Sequence, residues 1–135
     1  EVYDKLIEVR LAMAEKLGFD NLTLHDSGRI AVITFPYALK AEHGIADEYL
    51  ETLIEVARSV EGVEVAAAIR QPKDEGVFRC SMRSSCDVDV SAICASLGGG
   101  GHVKAAGCTV TGTVEEILDG VKEQIMIQWK ELGTV

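Results

Sequence analysis

Four glycines run into a histidine at Gly98-Gly99-Gly100-Gly101-His102, and Val103-Lys104-Ala105-Ala106-Gly107 follows. A structural turn needs one or two glycines. Each further glycine adds unfolded-state entropy worth roughly 0.5–1 kcal/mol relative to alanine. The run therefore predicts that something approaches the backbone closely, and the imidazole and ammonium after it point to an anion. Glycines between two elements let successive N–H groups converge into a nest. A short helical turn starting in residues 102–106 would add the partial positive charge of its N-terminus. His102 can donate to a phosphate oxygen, and Lys104 can add a point charge or face solvent. The competing structural reading is a helix cap at Gly98 followed by a plain loop.

A second group is Ser81-Met82-Arg83-Ser84-Ser85. In a strand Ser81 and Arg83 share a face, and an arginine beside hydroxyls suits a phosphate or carboxylate. An exposed strand-end arginine is the plainer alternative. The known nucleotide fingerprints do not fit: a Walker loop needs Lys-Ser/Thr after its last glycine, and the third glycine of G-x-G-x-x-G is missing here. Cys80, Cys86, Cys94 and Cys108 contain no C-x-x-C pair, so free thiols in a reducing compartment are expected and not a zinc site. Asp87 and Asp89 form a close acid pair, but a hard cation needs more ligands than two.

The elements that would position these groups follow from periodicity. Residues 2–17 show a helical stripe of Val2, Leu6, Val9, Met13 and Leu17, with Gly18 as its stop. Residues 21–25 and 29–35 read as strands joined by a turn at Asp26-Ser27-Gly28. The second is apolar on both faces, so it belongs inside a sheet. Residues 36–44 read as a loop with room for a helical turn. A helix over residues 47–60 places Leu50, Leu53, Ile54 and Ala57 inward, and Gly62 ends it. Strands over 63–70 and 77–84 follow. Phe78, Cys80 and Met82 lie on one face of the latter, and Arg79, Ser81 and Arg83 on the other. Asp89 is placed to cap a helix ending at Leu97. A strand over 106–111 precedes a capping box at Thr113-Val114-Glu115-Glu116. The last helix carries Ile117, Leu118, Val121, Ile125, Trp129 and Leu132 on one stripe. The fold class read from this pattern is α+β: a single domain over residues 1–135, with about five strands in a mixed sheet and about four helices.

With 135 residues, 47% of them hydrophobic, the chain has the size and composition of one globular domain. Thirteen basic residues against 22 acidic ones give a net charge of −9. That balance argues against broad electrostatic binding of duplex nucleic acid, although a local anion site is compatible with it. No apolar run has the length of a membrane span and no signal-peptide pattern opens the sequence, so a cytoplasmic location is expected.

Taken together, Ser81-Met82-Arg83-Ser84, Asp89-Val90-Ser91-Ala92-Ile93 and the block from Gly98 to Gly107 resemble the C-terminal DHH-associated domain of DHH-family phosphoesterases. The first half is similar too, through Gly28-Arg29-Ile30-Ala31-Val32 and Gly62-Val63-Glu64-Val65-Ala66-Ala67-Ala68-Ile69-Arg70. The nearest resemblance is to the branch that degrades very short RNA and dephosphorylates 3′-phosphoadenosine 5′-phosphate. It implies the substrate-binding half of a manganese-dependent hydrolase. In such enzymes a separate N-terminal domain holds two manganese ions on a D-H-H motif, and the C-terminal domain closes over the cleft. Carried over by the resemblance, Gly99, Gly100, Gly101, His102 and Arg83 contact phosphate and the terminal nucleotide, with Ser81 and Ser84 in support; Lys104 joins them as a candidate. No Asp-His-His occurs in the sequence. The chain is therefore expected to contain no catalytic or metal-ligating residue of its own. It is expected to be a piece of a longer protein whose catalytic domain lies outside it, to bind short RNA or phosphorylated nucleotides weakly, and to hydrolyse nothing alone.

Other readings stay open on the sequence. A related domain ends alanyl-transfer-RNA synthetases and carries a similar glycine block, which would make this an RNA-binding module. A cyclic-dinucleotide phosphodiesterase is a nearer option. A plain structural or dimerising domain is the third, with the stripe around Trp129 packing on a second copy. The helical phase of Trp129 favours the core instead.

Overall fold

The computed structural model describes residues 22–43, 53–73 and 75–134. The expected helix over residues 2–17 lies outside these, as does the start of the helix expected from residue 47.

The described elements run in the order β1 (Leu22–His25), β2 (Ile30–Phe35), α1 (Tyr37–His43), α2 (Leu53–Arg58), β3 (Val65–Arg70), β4 (Val77–Ser84), α3 (Val90–Ser96), β5 (Gly100–His102), β6 (Ala105–Thr111) and α4 (Val114–Leu132). They build one six-stranded sheet in the order β1-β2-β3-β4-β6-β5. Only β2 and β3 pair in parallel; the other pairs are antiparallel. The α+β reading holds, with one strand more than expected. The extra strand is the glycine run itself.

The turn from β1 to β2 uses positive φ at Asp26, Ser27 and Gly28. It is closed by Gly28 N–H donating to His25 O at 3.2 Å. β2 lies between β1 and β3, and Ile30, Ala31, Val32 and Ile33 are fully buried. Its two faces feed two cores, as expected for an interior strand. On one face Ile30 and Val32 join Val65, Ala67, Ile69, Phe78, Cys80 and Met82 under α3 and α4. On the other, Ala31, Ile33 and Phe35 join Ala66 and Ala68 under Ile54, Val56 and Ala57 of α2. The parallel β2–β3 pair requires the crossover that contains α1 and α2.

α3 starts at Asp89, whose carboxylate accepts from Ser91 N–H at 2.9 Å and Ala92 N–H at 3.2 Å. Gln128 of α4 clamps this cap from the side: its Oε1 accepts from Asp89 N–H at 2.7 Å and its Nε2 donates to Asp89 O at 2.9 Å. α4 opens with the expected capping box, Glu116 N–H donating to Thr113 Oγ1 at 3.1 Å. Ile117, Val121, Ile125 and Trp129 are buried along it. Trp129 is 2% exposed, so the core and not a partner takes it. Leu132, expected on the same stripe, is 44% exposed, because the helix end runs past the sheet's core. The Arg29 guanidinium stacks 3.7 Å above the Trp129 ring and pairs with Glu64 through two N–H···O contacts of 2.5 and 3.2 Å.

Candidate functional site

The glycine run caps α3 and then opens the edge strand β5, and three of its four glycines are required by the fold. Gly98 follows the last turn of α3 with φ +90°. Its N–H donates to Ala95 O at 3.1 Å, and Gly99 N–H donates to Cys94 O at 2.7 Å. This pair of bonds around a left-handed glycine is the Schellman cap. Gly99 and Gly101 are packed against β6. A Cβ on Gly99 would stand 2.2 Å from Gly107 O, and one on Gly101 would stand 2.7 Å from Ala106 Cα. The visitor that approaches this backbone closely is thus the neighbouring strand. Gly100 is different: a Cβ there would meet nothing within 4 Å. The expected helical turn over residues 102–106 is absent, because His102 and Ala105 are already paired across a tight turn at residues 103–104.

The register of this edge decides which side chains meet. Directly paired residues in adjacent strands share a face. One row therefore runs Ala66–Arg83–Ala105–His102, and the next runs Ala68–Ser81–Gly107–Gly100. A third runs Arg70–Arg79–Thr109. All three rows lie on the face opposite α3 and α4, because Cys80, Met82, Ala106 and Cys108 occupy the α3–α4 side; α2 covers this face at Ala66 and Ala68, and the part beyond is open. Arg83 and His102 are two strands apart, about 10 Å between backbones, with only the Ala105 methyl between them. Gly100 and Gly107 form a floor without side chains beside them. An open depression of about 380 Å³ continues from this floor, lined by Arg70, Arg79, Ser81, Gly98, Gly99 and Thr109 among others.

Two expected residues are placed elsewhere. Ser84 falls on the helical face by strand alternation and is 8% exposed. Its Oγ donates to Cys86 O at 3.2 Å, so it stands across the sheet from Ser81 and Arg83. Lys104 reaches away from the rows and its Nζ donates to Cys86 O. The turn that carries it is docked by Ser84 N–H on Lys104 O and Val90 N–H on Val103 O, each 3.0 Å. Arg83 is half-buried and its Nη1 donates to Met82 O at 2.9 Å, which braces the guanidinium near the strand.

Arg70 and Arg79 were not among the sequence candidates. The signal for Arg79 was present, since alternation puts it on the face of Ser81 and Arg83. Arg70 becomes visible only through the β3–β4 register.

Beneath Gly99, on the helical side, Cys80 and Cys108 are paired across β4 and β6, with Cys94 of α3 beside them. All four cysteines are free thiols. Hydrogen bonds from Cys80 and then Cys94 hold the Cys108 thiol below the usual thiol range. Among the described residues no group of three or more His, Cys, Asp or Glu side chains could hold a metal ion. The three rows bring together guanidinium, imidazole, hydroxyl and bare backbone. No helix among the described residues is long and apolar enough to cross a membrane.

Comparison with known proteins gives the family and the fold. The DHHA1 domain family matches residues 29–126. The bifunctional oligoribonuclease and PAP phosphatase NrnA of Thermus thermophilus is 38% identical over 85 residues, covering 59% of this chain and 26% of that protein. An exopolyphosphatase-related protein from Bacteroides fragilis has the same fold at TM-score 0.74 and 20% identity, covering 96% of this chain and 36% of that one. A pGpG-specific phosphodiesterase, PggH, from Vibrio cholerae does so at TM-score 0.55 and 10% identity, covering 95% and 41%. The chain spans about a quarter of the length of the curated relative and at most 41% of these two structures.

Proposed function

The chain belongs to the DHHA1 domain family, and on that premise we propose that it is the substrate-binding half of a phosphoesterase acting on short oligoribonucleotides or phosphorylated nucleotides. The observation that carries this reading is the row Arg83–Ala105–His102 beside the bare floor of Gly100 and Gly107. Arg83 supplies a forked donor for a phosphate, and His102 supplies a second donor from the other side. Ala105, Gly107 and Gly100 leave the sheet surface low enough for a phosphate or sugar to lie against it. Gly100 is the one glycine of the run whose missing side chain the fold does not need. The ligand explains it. Gly99 and Gly101 shape the floor by holding β5 tight against β6, and Ser81 adds a hydroxyl beside Arg83. Ser84 and Lys104 act indirectly, by fixing the turn at residues 103–104.

Two manganese ions belong, on this reading, to a catalytic DHH domain elsewhere in the protein. On the same reading this domain binds and orients the substrate while the DHH domain hydrolyses it. Short RNA or a phosphorylated nucleotide and the DHH domain are its two partners. Free thiols suit a reducing compartment such as the cytoplasm.

The test is a metal-free NMR titration of the chain with 3′-phosphoadenosine 5′-phosphate and with a short 5′-phosphorylated RNA. Amide shifts are expected at Ser81–Arg83 and Gly100–Ala105. A charge-assisted hydrogen bond to phosphate contributes roughly 1.5–3 kcal/mol, so Arg83→Ala should weaken binding about tenfold to a hundredfold. Unchanged affinity in Arg83→Ala removes Arg83 from the site. Turnover of a dinucleotide by the pure chain with added manganese would refute the division of labour.

A further inference from the structure

The third row of the open face carries an arrangement that the reading above does not use. Register sets Arg70 of β3 directly opposite Arg79 of β4. Like charges in directly opposed strand positions destabilise a sheet. The protein has acidic residues in excess, 22 against 13 basic, yet neither guanidinium is paired with a carboxylate among the described residues. Both line the depression of about 380 Å³, together with Ser81, Thr109, Gly98 and Gly99. An unneutralised arginine pair over hydroxyls and glycine backbone is what a multiply charged anion would complete.

We propose that Arg70 and Arg79, with Ser81 and Thr109, form a second anion subsite that takes a further phosphate of the substrate. This deepens the function proposed above and rests on its placing the first phosphate at Arg83, His102 and Gly100. Arg79 and Arg83 are four residues apart in one strand, about 13 Å. The two subsites therefore suit a short ligand with a phosphate toward each end. Ser81 sits between them and serves both. A substrate with one phosphate fills only the first subsite, so Arg70 and Arg79 select for bisphosphorylated nucleotides.

The test uses two probes on the wild-type chain, Arg70→Gln/Arg79→Gln and Arg83→Gln. In thermal melts, millimolar inorganic pyrophosphate is expected to raise the melting temperature of the wild type and of Arg83→Gln more than that of the double variant. In calorimetric titrations, the double variant is expected to bind adenosine 3′,5′-bisphosphate about tenfold more weakly, with adenosine 5′-monophosphate unchanged. Arg83→Gln should weaken both nucleotides. No rise with pyrophosphate in the wild type, or an equal rise in the double variant, overturns the subsite. If bisphosphate binding then still depends on Arg83, the proposed function stands without it. If neither nucleotide responds to Arg83→Gln while the pyrophosphate effect still needs Arg70 and Arg79, the proposed function falls and the subsite remains.

Discussion

Gly99→Ala and Gly100→Ala differ by one position and are expected to have opposite effects. At Gly99 the added Cβ would stand 2.2 Å from Gly107 O, 2.5 Å from Cys108 Cβ and 2.7 Å from Cys108 Cα. These are main-chain atoms of β6 and the Cβ fixed to it, so no flexible side chain can swing away. The strands must separate. At Gly100 the space is open and φ is not left-handed. Both variants gain about 0.4–1 kcal/mol from a less flexible unfolded chain. That gain cancels in the difference between them, leaving the overpacking cost of about 1–3 kcal/mol. At about 4 °C per kcal/mol for a domain of this size, Gly99→Ala should melt roughly 4–12 °C below Gly100→Ala. Gly101→Ala should resemble Gly99→Ala, since its Cβ would meet Ala106 Cα at 2.7 Å and its φ is +147°. Calorimetry on the three variants measures the difference, and phosphate-ligand titration of Gly100→Ala supplies the second readout. That variant should keep or raise stability and lose affinity. Melting temperatures within about 2 °C of one another would refute the claim that β6 dictates Gly99.

His102 is exposed on the edge strand, so His102→Ala should change stability by less than about 0.5 kcal/mol while weakening phosphate binding. A large loss of melting temperature would make it structural. Asp89→Ala removes the acceptor for Ser91 and Ala92 N–H and should cost about 1 kcal/mol, with Asp89→Asn recovering most of it in urea titrations. The hydrogen bond from Arg29 holds the Glu64 carboxyl below the usual carboxylate range. The unfolded state therefore binds the proton more readily. The stability this pair adds is present above the ordinary glutamate pKa and disappears as pH falls through the lowered folded value. Glu64→Gln should flatten the acid limb of melting temperature against pH, and an unchanged acid limb would show that the pair contributes nothing there.

Much of the fold was legible because its signals are local. The alternation of Phe78, Cys80 and Met82 with Arg79, Ser81 and Arg83 gave β4 its bounds and its faces. Asp89 and the Thr113 box marked two helix starts. β2 declared itself interior by being apolar on both sides. The glycine run was legible as a place of close approach; that β6 is what approaches at Gly99 and Gly101 was not. Gly100–His102 carries no β-branched or aromatic residue, so nothing in its own composition marks a strand; its pairing comes from β6. The same reason hid Arg70. Which residue of β3 faces Arg79 depends on register across two strands, and no local pattern around Arg70 encodes it.

The sheet's single described parallel seam also sets an order of assembly. Each antiparallel neighbour from β3 onward is reached within the stretch of residues 65–132, through the short α3–β5 excursion and the turn at residues 103–104. β2 meets β3 only after the whole crossover of residues 36–64 has closed, and loop-closure entropy must be met before that contact stabilises anything. The arginine and glycine rows of the open face all lie on the early side of that seam. On this topology the rows of β3, β4 and β6 close through shorter loops than the β2–β3 seam does.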